Sequence, residues 1–133
     1  MVSPRSPLSS AAIQLTIGRV VLGVSALAAP RSLLRVFGFP GEPDARLSYA
    51  VRLYGVRELL IGLHLWREAA TGEPTLLTAR LNLAIDAIDA GMSFVMAATR
   101  PEVRRGATVV GFFASFITLQ WLRFERRVAR AAR

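Results

Sequence analysis

Residues 106–122 read GATVVGFFASFITLQWL, a run of 17 residues without a charged side chain. A helix on the surface of a soluble protein needs a polar face, and this run offers no charge from which to build one. About 17–25 helical residues cross the ~30 Å hydrocarbon core of a bilayer, so the run also has the length of a membrane span. We therefore interpret it as a transmembrane helix and not as one helix of a soluble bundle.

Three other apolar segments of similar length precede it, and connectors that contain arginine, proline or glycine separate all four. This organisation predicts an all-α fold, an integral membrane four-helix bundle that occupies residues 1–133 as a single domain. The predicted spans are residues 11–29, 47–66, 81–99 and 106–122, followed by a basic C-terminal tail at 123–133.

The composition excludes several classes of protein. Hydrophobic residues make up 53% of the chain and the mean hydropathy is +0.40, which excludes disorder. Because there is no cysteine and only one histidine, His64, the chain lacks the residues for disulfides, thiol catalysis, zinc–thiolate centres or histidine-rich metal sites. We expect no metal and no cofactor. The net charge is +8, and the basic tail contains no aromatic residue other than Phe124. We therefore interpret the charge as that of the positive loops of a membrane protein and expect no nucleic-acid partner.

The connector after the first span contains RSLLRVFGF at residues 31–39, in which large apolar side chains stand beside two arginines. This pattern predicts a short interfacial helix between helices 1 and 2, with a plain loop as the alternative. Pro40, Gly41 and Pro43 would end that helix.

Loop arginines set the expected orientation, because cytoplasmic loops of membrane proteins are enriched in them. With four spans, both termini lie on the same side of the membrane. That side carries seven arginines, including Arg5 and the five of the tail, against six on the other side when Arg80 at a span end is omitted. We therefore expect a multi-pass protein of the cell membrane with cytoplasmic N- and C-termini.

Six charged residues lie inside the predicted spans, although each charge costs about 2.5–3.5 kcal/mol at the centre of a membrane helix. Residues of this kind face the interior of a bundle or a wet cavity and pair with one another. Three are basic and three are acidic, so their charges balance. They are Arg19, Arg52, Arg57, Glu58, Asp86 and Asp89.

The polar residues of the second and third spans fall on defined helix faces. On the third span they lie within about 60° of one another, on a helix with 3.6 residues per turn. On the second span Tyr54, Arg57 and His64 share a face, with Glu58 at its edge. These faces predict a polar site between the helices. The residues of the third-span stripe are Asn82, Asp86, Asp89 and Ser93.

The acids of this site suit proton transfer. Asp86 and Asp89 are one turn apart, and two carboxylates in apolar surroundings resist ionising together, so one of them can act as a general acid. We interpret Asp86, Asp89 and Glu58 as the catalytic acid and base groups. An arginine beside them can hold an anionic group of the substrate. The residues expected to bind and orient the substrate are Arg19, Arg52, Arg57, Tyr54, Asn82 and His64.

The favoured function is a membrane-embedded enzyme of the isomerase, cyclase or hydrolase type. It would perform acid/base chemistry, such as isomerisation, cyclisation or epoxide opening, on a lipophilic small molecule that enters from the membrane lipids. Two alternatives stay open. One is a proton-coupled small-molecule transporter that uses the same acids, and the other is a non-catalytic scaffold subunit whose buried ion pairs only fix the helix register. Each of these functions is compatible with a homo-oligomer.

The motif R-x-Y-G-x-R-E at residues 52–58, followed by D-x-x-D at 86–89, resembles a family of small bacterial and fungal four-helix membrane proteins. That family is catalogued mainly as a domain of unknown function. The resemblance covers nearly the whole chain and implies four spans with a polar core shared by helices 2 and 3. It implies no particular reaction.

Overall fold

The computed structural model describes residues 7–71 and 75–131, which form five α-helices and contain no strand. The predicted all-α fold and the predicted short helix after the first long one are confirmed. Arg5 and Arg133, which entered the arginine count above, lie outside the described residues. The helices are α1 (Pro7–Ala28), α2 (Pro30–Val36), α3 (Ala45–Thr71), α4 (Leu76–Thr99) and α5 (Arg104–Ala131), with a 3-10 turn at Pro101–Val103.

Proline and threonine residues account for several helix boundaries. α2 begins with Pro30, because a fixed φ and a missing N–H suit the first turn of a helix. Thr75 caps α4 by accepting a hydrogen bond from the backbone N–H of Thr78 at 3.1 Å. Pro101 follows the end of α4 and starts the turn into α5. The starts of α2 and α4 and the turn into α5 thus have local causes in the sequence.

α1 and α3 pack antiparallel, with two glycines at their closest approach. A Cβ atom on Gly55 would lie 2.8 Å from the carbonyl oxygen of Gly23, and a Cβ atom on Gly23 would lie 2.9 Å from that of Gly55. Small residues at such positions allow two helix backbones to approach closely. The glycine of the R-x-Y-G-x-R-E motif therefore sets the spacing between these two helices.

α4 and α5 form a second antiparallel pair. The ring of Phe94 covers Gly111, where a Cβ atom would lie 2.9 Å from Cε1 of the ring. The same ring meets Phe112 edge-on, with 5.4 Å between ring centroids. In each pair, the two partners are long helices that follow one another along the chain, with only the short α2 between α1 and α3.

The two helix pairs meet around a small apolar core, close to the end of α3 and the start of α4. All four long helices contribute to this core, and its largest member, Trp121, is fully buried. The core residues are Ala12, Leu65, Ala79, Trp121, Phe124 and Val128.

Three of the long helices are long and apolar enough to cross a membrane. α3 has sufficient length, at 27 residues, but it carries Arg52, Arg57 and Glu58 and is not one of the three. The basic segment predicted as a tail is helical as far as Ala131, and residues 132–133 lie outside the described part. The three apolar stretches are Ser10–Ala28, Leu76–Thr99 and Pro101–Arg130.

Candidate functional site

Arg19 on α1 joins two acids that belong to different helices. Its Nη1 donates to Oε2 of Glu58 on α3, and its Nη2 donates to Oδ2 of Asp86 on α4, each at 2.6 Å. Arg19 is 5% exposed and Glu58 is 1% exposed, so these charge-assisted bonds lie in the protein interior. The three side chains meet as the charge pattern predicted, while their roles stay predictions.

Arg57 extends these contacts toward the surface. Its Nη2 lies 3.1 Å from Oε1 of Glu58, and its guanidinium also pairs with both carboxylate oxygens of Asp89 on α4. The guanidinium carbon lies 4.7 Å from the centroid of the Tyr54 ring. The side chain of Arg57 is 39% exposed, so this end of the cluster is less buried than the Arg19 end. We call the linked set the ion network, and its members are Asp86, Arg19, Glu58, Arg57 and Asp89.

The ion network holds two arginines and three acids, so its formal charge is −1 when all five groups are ionised. Arg52 is the sixth charged residue that the sequence places inside the predicted spans. It is exposed and makes no ion pair with any residue that the structure describes. An unbalanced charge in a buried cluster is costly. The network is therefore neutral only when it binds one more proton or faces one external cation.

A cavity of about 760 Å³ lies beside the ion network. Small-molecule sites usually occupy roughly 300–1,000 Å³, so the cavity has the size of a ligand site. α1 and α5 face each other across it, and each of them packs mainly on its own antiparallel partner. Most of the wall is apolar. Its polar members around the network are Arg19, Tyr54, Glu58, Asp86, Asp89 and Ser93.

Two buried hydrogen-bond donors beside the network lack an acceptor. Nε of Arg19 and Nε1 of Trp121 make no hydrogen bond within the described part of the chain, and both residues line the cavity. The guanidinium carbon of Arg19 lies 5.8 Å from the centroid of the Trp121 ring. Because an unpaired buried donor costs free energy, the packing around Arg19 and Trp121 carries a local cost.

Asn82 and His64 lie beyond the network, toward the start of α4. Asn82 is buried, donates through Nδ2 to the Thr78 carbonyl at 2.9 Å, and is not among the described residues of the cavity wall. His64 is exposed, with Nε2 3.5 Å from Oγ1 of Thr78 and 3.5 Å from Oε1 of Glu68. Together with Arg52, these residues stand apart from the cavity, and their predicted role in substrate binding stays a prediction.

Trp121 was not identified from the sequence, although it joins the apolar core, the cavity wall and Arg19. One signal was present. Ala114 and Trp121 are seven residues apart, which places them on one face of α5, and both are buried. Only the packing of α1 against α5 shows that this face meets Arg19.

The carboxylates of the ion network bind guanidinium groups and do not converge on a common point. Within residues 7–71 and 75–131, no group of three His, Cys, Asp or Glu side chains is placed to hold a metal ion. The arrangement is instead suited to holding and releasing a proton beside a largely apolar cavity.

The chain belongs to the family described as a domain of unknown function (DUF4267), whose sequence profile matches residues 16–122. The match includes the R-x-Y-G-x-R-E and D-x-x-D motifs and every member of the ion network. It confirms the resemblance to a catalogued domain of unknown function. No curated protein and no solved structure matches the chain.

Proposed function

We propose that this family member is an integral membrane protein in which the four long helices span the bilayer as a bundle. Three of these helices have the required length and apolarity. Large apolar side chains on their outer faces are more than half exposed, among them Val21, Ile88 and Phe112. An exposed apolar surface of this extent is suited to contact with lipid.

We include α3 as the fourth span because its central acid points inward and its outer face is apolar. Glu58 is buried in the ion network, whereas Leu60, Leu63 and Trp66 are more than half exposed. Arg52 lies seven residues from the start of α3, about 10 Å along the axis, so its long side chain can reach the membrane interface. Pairing within the network offsets the cost of the other two charges.

Single-cysteine labelling tests this topology cleanly, because the natural chain has no cysteine. With four spans, Glu42→Cys and Glu102→Cys react from one side of the membrane and Thr71→Cys reacts from the other, the cytoplasmic side. If α3 does not span, Thr71→Cys reacts from the same side as Glu42→Cys, and Glu102→Cys from the opposite side. A membrane-impermeant maleimide applied to intact cells and to inverted vesicles distinguishes the two patterns, and we expect the first.

We further propose that the protein is an enzyme whose active site is the cavity, and that it performs acid/base chemistry on a lipophilic small molecule. The observation that carries this proposal is the unbalanced charge of the ion network beside the cavity. A network with a formal charge of −1 holds one proton at rest and becomes anionic when that proton passes to a substrate. The negative charge of the deprotonated network then stabilises a cationic intermediate in the cavity.

Asp86 is the proposed proton donor, because Arg19 holds only its Oδ2 and its Oδ1 makes no hydrogen bond to any described residue. The O–H bond of Asp86 breaks, and the proton passes either to an epoxide oxygen, whose C–O bond then opens, or to an alkene carbon. Either step leaves a carbocation. A proton on a neighbouring carbon then returns to a carboxylate of the network, a C=C bond forms, and the enzyme regains its starting state.

Aromatic rings beside the ion network support such a reaction. Tyr54 and Trp121 each already lie beside a guanidinium, and the face of an aromatic ring stabilises a nearby cation by roughly 0.5–2 kcal/mol.

Asp86→Asn tests the assignment, because the amide keeps the shape and an acceptor for Arg19 but cannot deliver the proton. We expect this variant to fold and to form product at least about 100-fold more slowly. The measurement compares lipid extracts of cells expressing the wild type or the variant by mass spectrometry. Glu125→Gln is the matched control, since Glu125 pairs with Arg80 away from the cavity, and it leaves the product pattern unchanged.

Two results would contradict the acid role. If the folded Asp86→Asn variant forms the same products as the wild type, Asp86 is not the proton donor. If the variant unfolds in detergent while Glu125→Gln does not, the ion network serves as a structural scaffold.

A proton-coupled carrier is the second candidate, and the pairing of the helices favours it. α1 packs on α3 and α4 packs on α5, whereas the two pairs meet through the ion network and one small core. Halves of this kind can rock against each other around a central site. A carrier would concentrate a compound in vesicles under a pH gradient without changing it chemically, and Asp86→Asn would abolish that accumulation.

A further inference from the structure

The cavity extends past the ion network as a groove along α5. Its wall on that helix runs from Val110 to Arg127, which corresponds to about 26 Å at 1.5 Å per residue. A volume of about 760 Å³ over this length gives a mean cross-section of about 30 Å². Carbon atoms in contact lie about 4 Å apart, so this cross-section is wide enough for an extended hydrocarbon chain.

The two ends of the groove differ in chemistry. At one end Phe37, directly after α2, meets Phe113 of α5 edge-on, with 5.7 Å between ring centroids. At the other end Arg123 and Arg127 lie one turn apart on α5, and both line the groove. Neither arginine forms an ion pair with a residue of the described ranges. The groove is thus apolar at one end and basic at the other.

Among the described residues, no acid lines the basic end of the groove. The only described acids that line the groove are Glu58, Asp86 and Asp89, and each of them is bound to a guanidinium of the ion network. Two arginines one turn apart suit a carboxylate or a phosphate, which a guanidinium can bind through two parallel hydrogen bonds. Basic pockets between membrane helices bind anionic groups in this way.

We propose that the groove binds a single-chain anionic amphiphile, with its carboxylate or phosphate at Arg123 and Arg127 and its hydrocarbon chain along α5 toward Phe113. This inference rests on the proposed function and names the substrate class for the same cavity. Trp121 precedes these arginines by two and six residues, about 3 and 9 Å along the axis. The part of the ligand that faces Trp121 and Arg19 therefore lies close to its anionic end.

Oleate and oleyl alcohol test the proposal, because they share one hydrocarbon chain and differ in the anionic group. In uncharged maltoside micelles at about pH 9, where a carboxylic acid is ionised, we expect the wild type to bind oleate at least about tenfold more tightly than the alcohol. The double variant Arg123→Gln/Arg127→Gln should lose this preference and still bind the alcohol. Thermal unfolding verifies that it is folded, as expected for two exposed arginines.

Arg126→Gln/Arg130→Gln is the matched control. It removes the same charge from the same helix at two exposed positions outside the described groove wall, and it should keep the preference for oleate. If both double variants lose the preference equally, the general positive field of α5 holds the anion and the proposal is overturned. The absence of any preference in the wild type overturns it as well.

Competition with phospholipids distinguishes a site for a substrate from a site for a bilayer lipid. We expect phosphatidylglycerol to displace oleate no better than phosphatidylcholine does. Stronger displacement by phosphatidylglycerol would show that the two arginines bind the headgroups of anionic bilayer lipids, and it would overturn the proposal. Product formation by Asp86→Asn reports on the acid role, and the binding preference of Arg123→Gln/Arg127→Gln reports on this site, so failure of one and failure of the other give different results.

Discussion

Arg19→Met should lower the free energy of unfolding by about 3–5 kcal/mol, the usual cost of removing one partner from a buried ion pair. Arg19 is the only described residue whose side chain bonds both Glu58 and Asp86, and all three residues are buried. Without its guanidinium, the network contains one arginine and three acids. Thermal or denaturant unfolding in detergent micelles measures the change.

Two further variants show whether stranded charge causes this loss. Arg52→Met removes an exposed arginine without an ion pair among the described residues, and it should change stability by no more than about 0.5 kcal/mol. The triple variant Arg19→Met/Glu58→Gln/Asp86→Asn removes the whole buried cluster of charge and should recover much of the loss. If the triple variant is as unstable as Arg19→Met, the packing of Arg19 on Trp121 dominates instead.

Gly55→Ala should destabilise the protein by about 1–3 kcal/mol, the typical cost of forcing an extra carbon into a well-packed contact. The new Cβ would lie 2.8 Å from the carbonyl oxygen of Gly23 and 2.9 Å from Cβ of Ala26, so α1 and α3 would have to move apart. Because Arg19 reaches Glu58 across the same interface, we expect the variant to weaken the ion network as well.

Gly91→Ala is the control for this prediction. Gly91 lies in the middle of α4, and a Cβ there would meet nothing within 4 Å. Alanine is about 1 kcal/mol more favourable than glycine inside a helix, so this variant should be neutral or more stable. If both substitutions give the same change in unfolding midpoint, helix propensity outweighs the close approach at Gly55.

Much of the site follows from the sequence because helix periodicity is a local property. The polar stripe of α4 and the charges of α1 and α3 could be assigned to inward faces before any packing was known. The position of Arg52 also had a local signal. It is five residues from Arg57, which turns it about 140° away on the helix, so the two arginines cannot face the same interior. Charge balance predicts that Arg52 lies in the interior, whereas helix geometry predicts that it faces outward.

The position of His64 has a similar explanation. It shares a helix face with Arg57, but the two are seven residues apart, about 10 Å along the axis. It therefore lies level with Thr78 and not with the ion network. The role of Trp121 and the length of the groove depend on how α1 meets α5, which is a contact between the two ends of the chain. No local pattern specifies such a contact.

The distribution of the network along the chain bears on how the protein is made. The portion synthesised first, through α3, contains Arg19, Arg57 and Glu58 and thus one surplus positive charge at this site. α4 then delivers two aspartates to it. Because N-terminal portions of a chain fold first during translation, the early helix pair presents a cationic surface to which the later pair is attracted. We therefore expect the ion pairs of the network also to guide α4 into register during biogenesis.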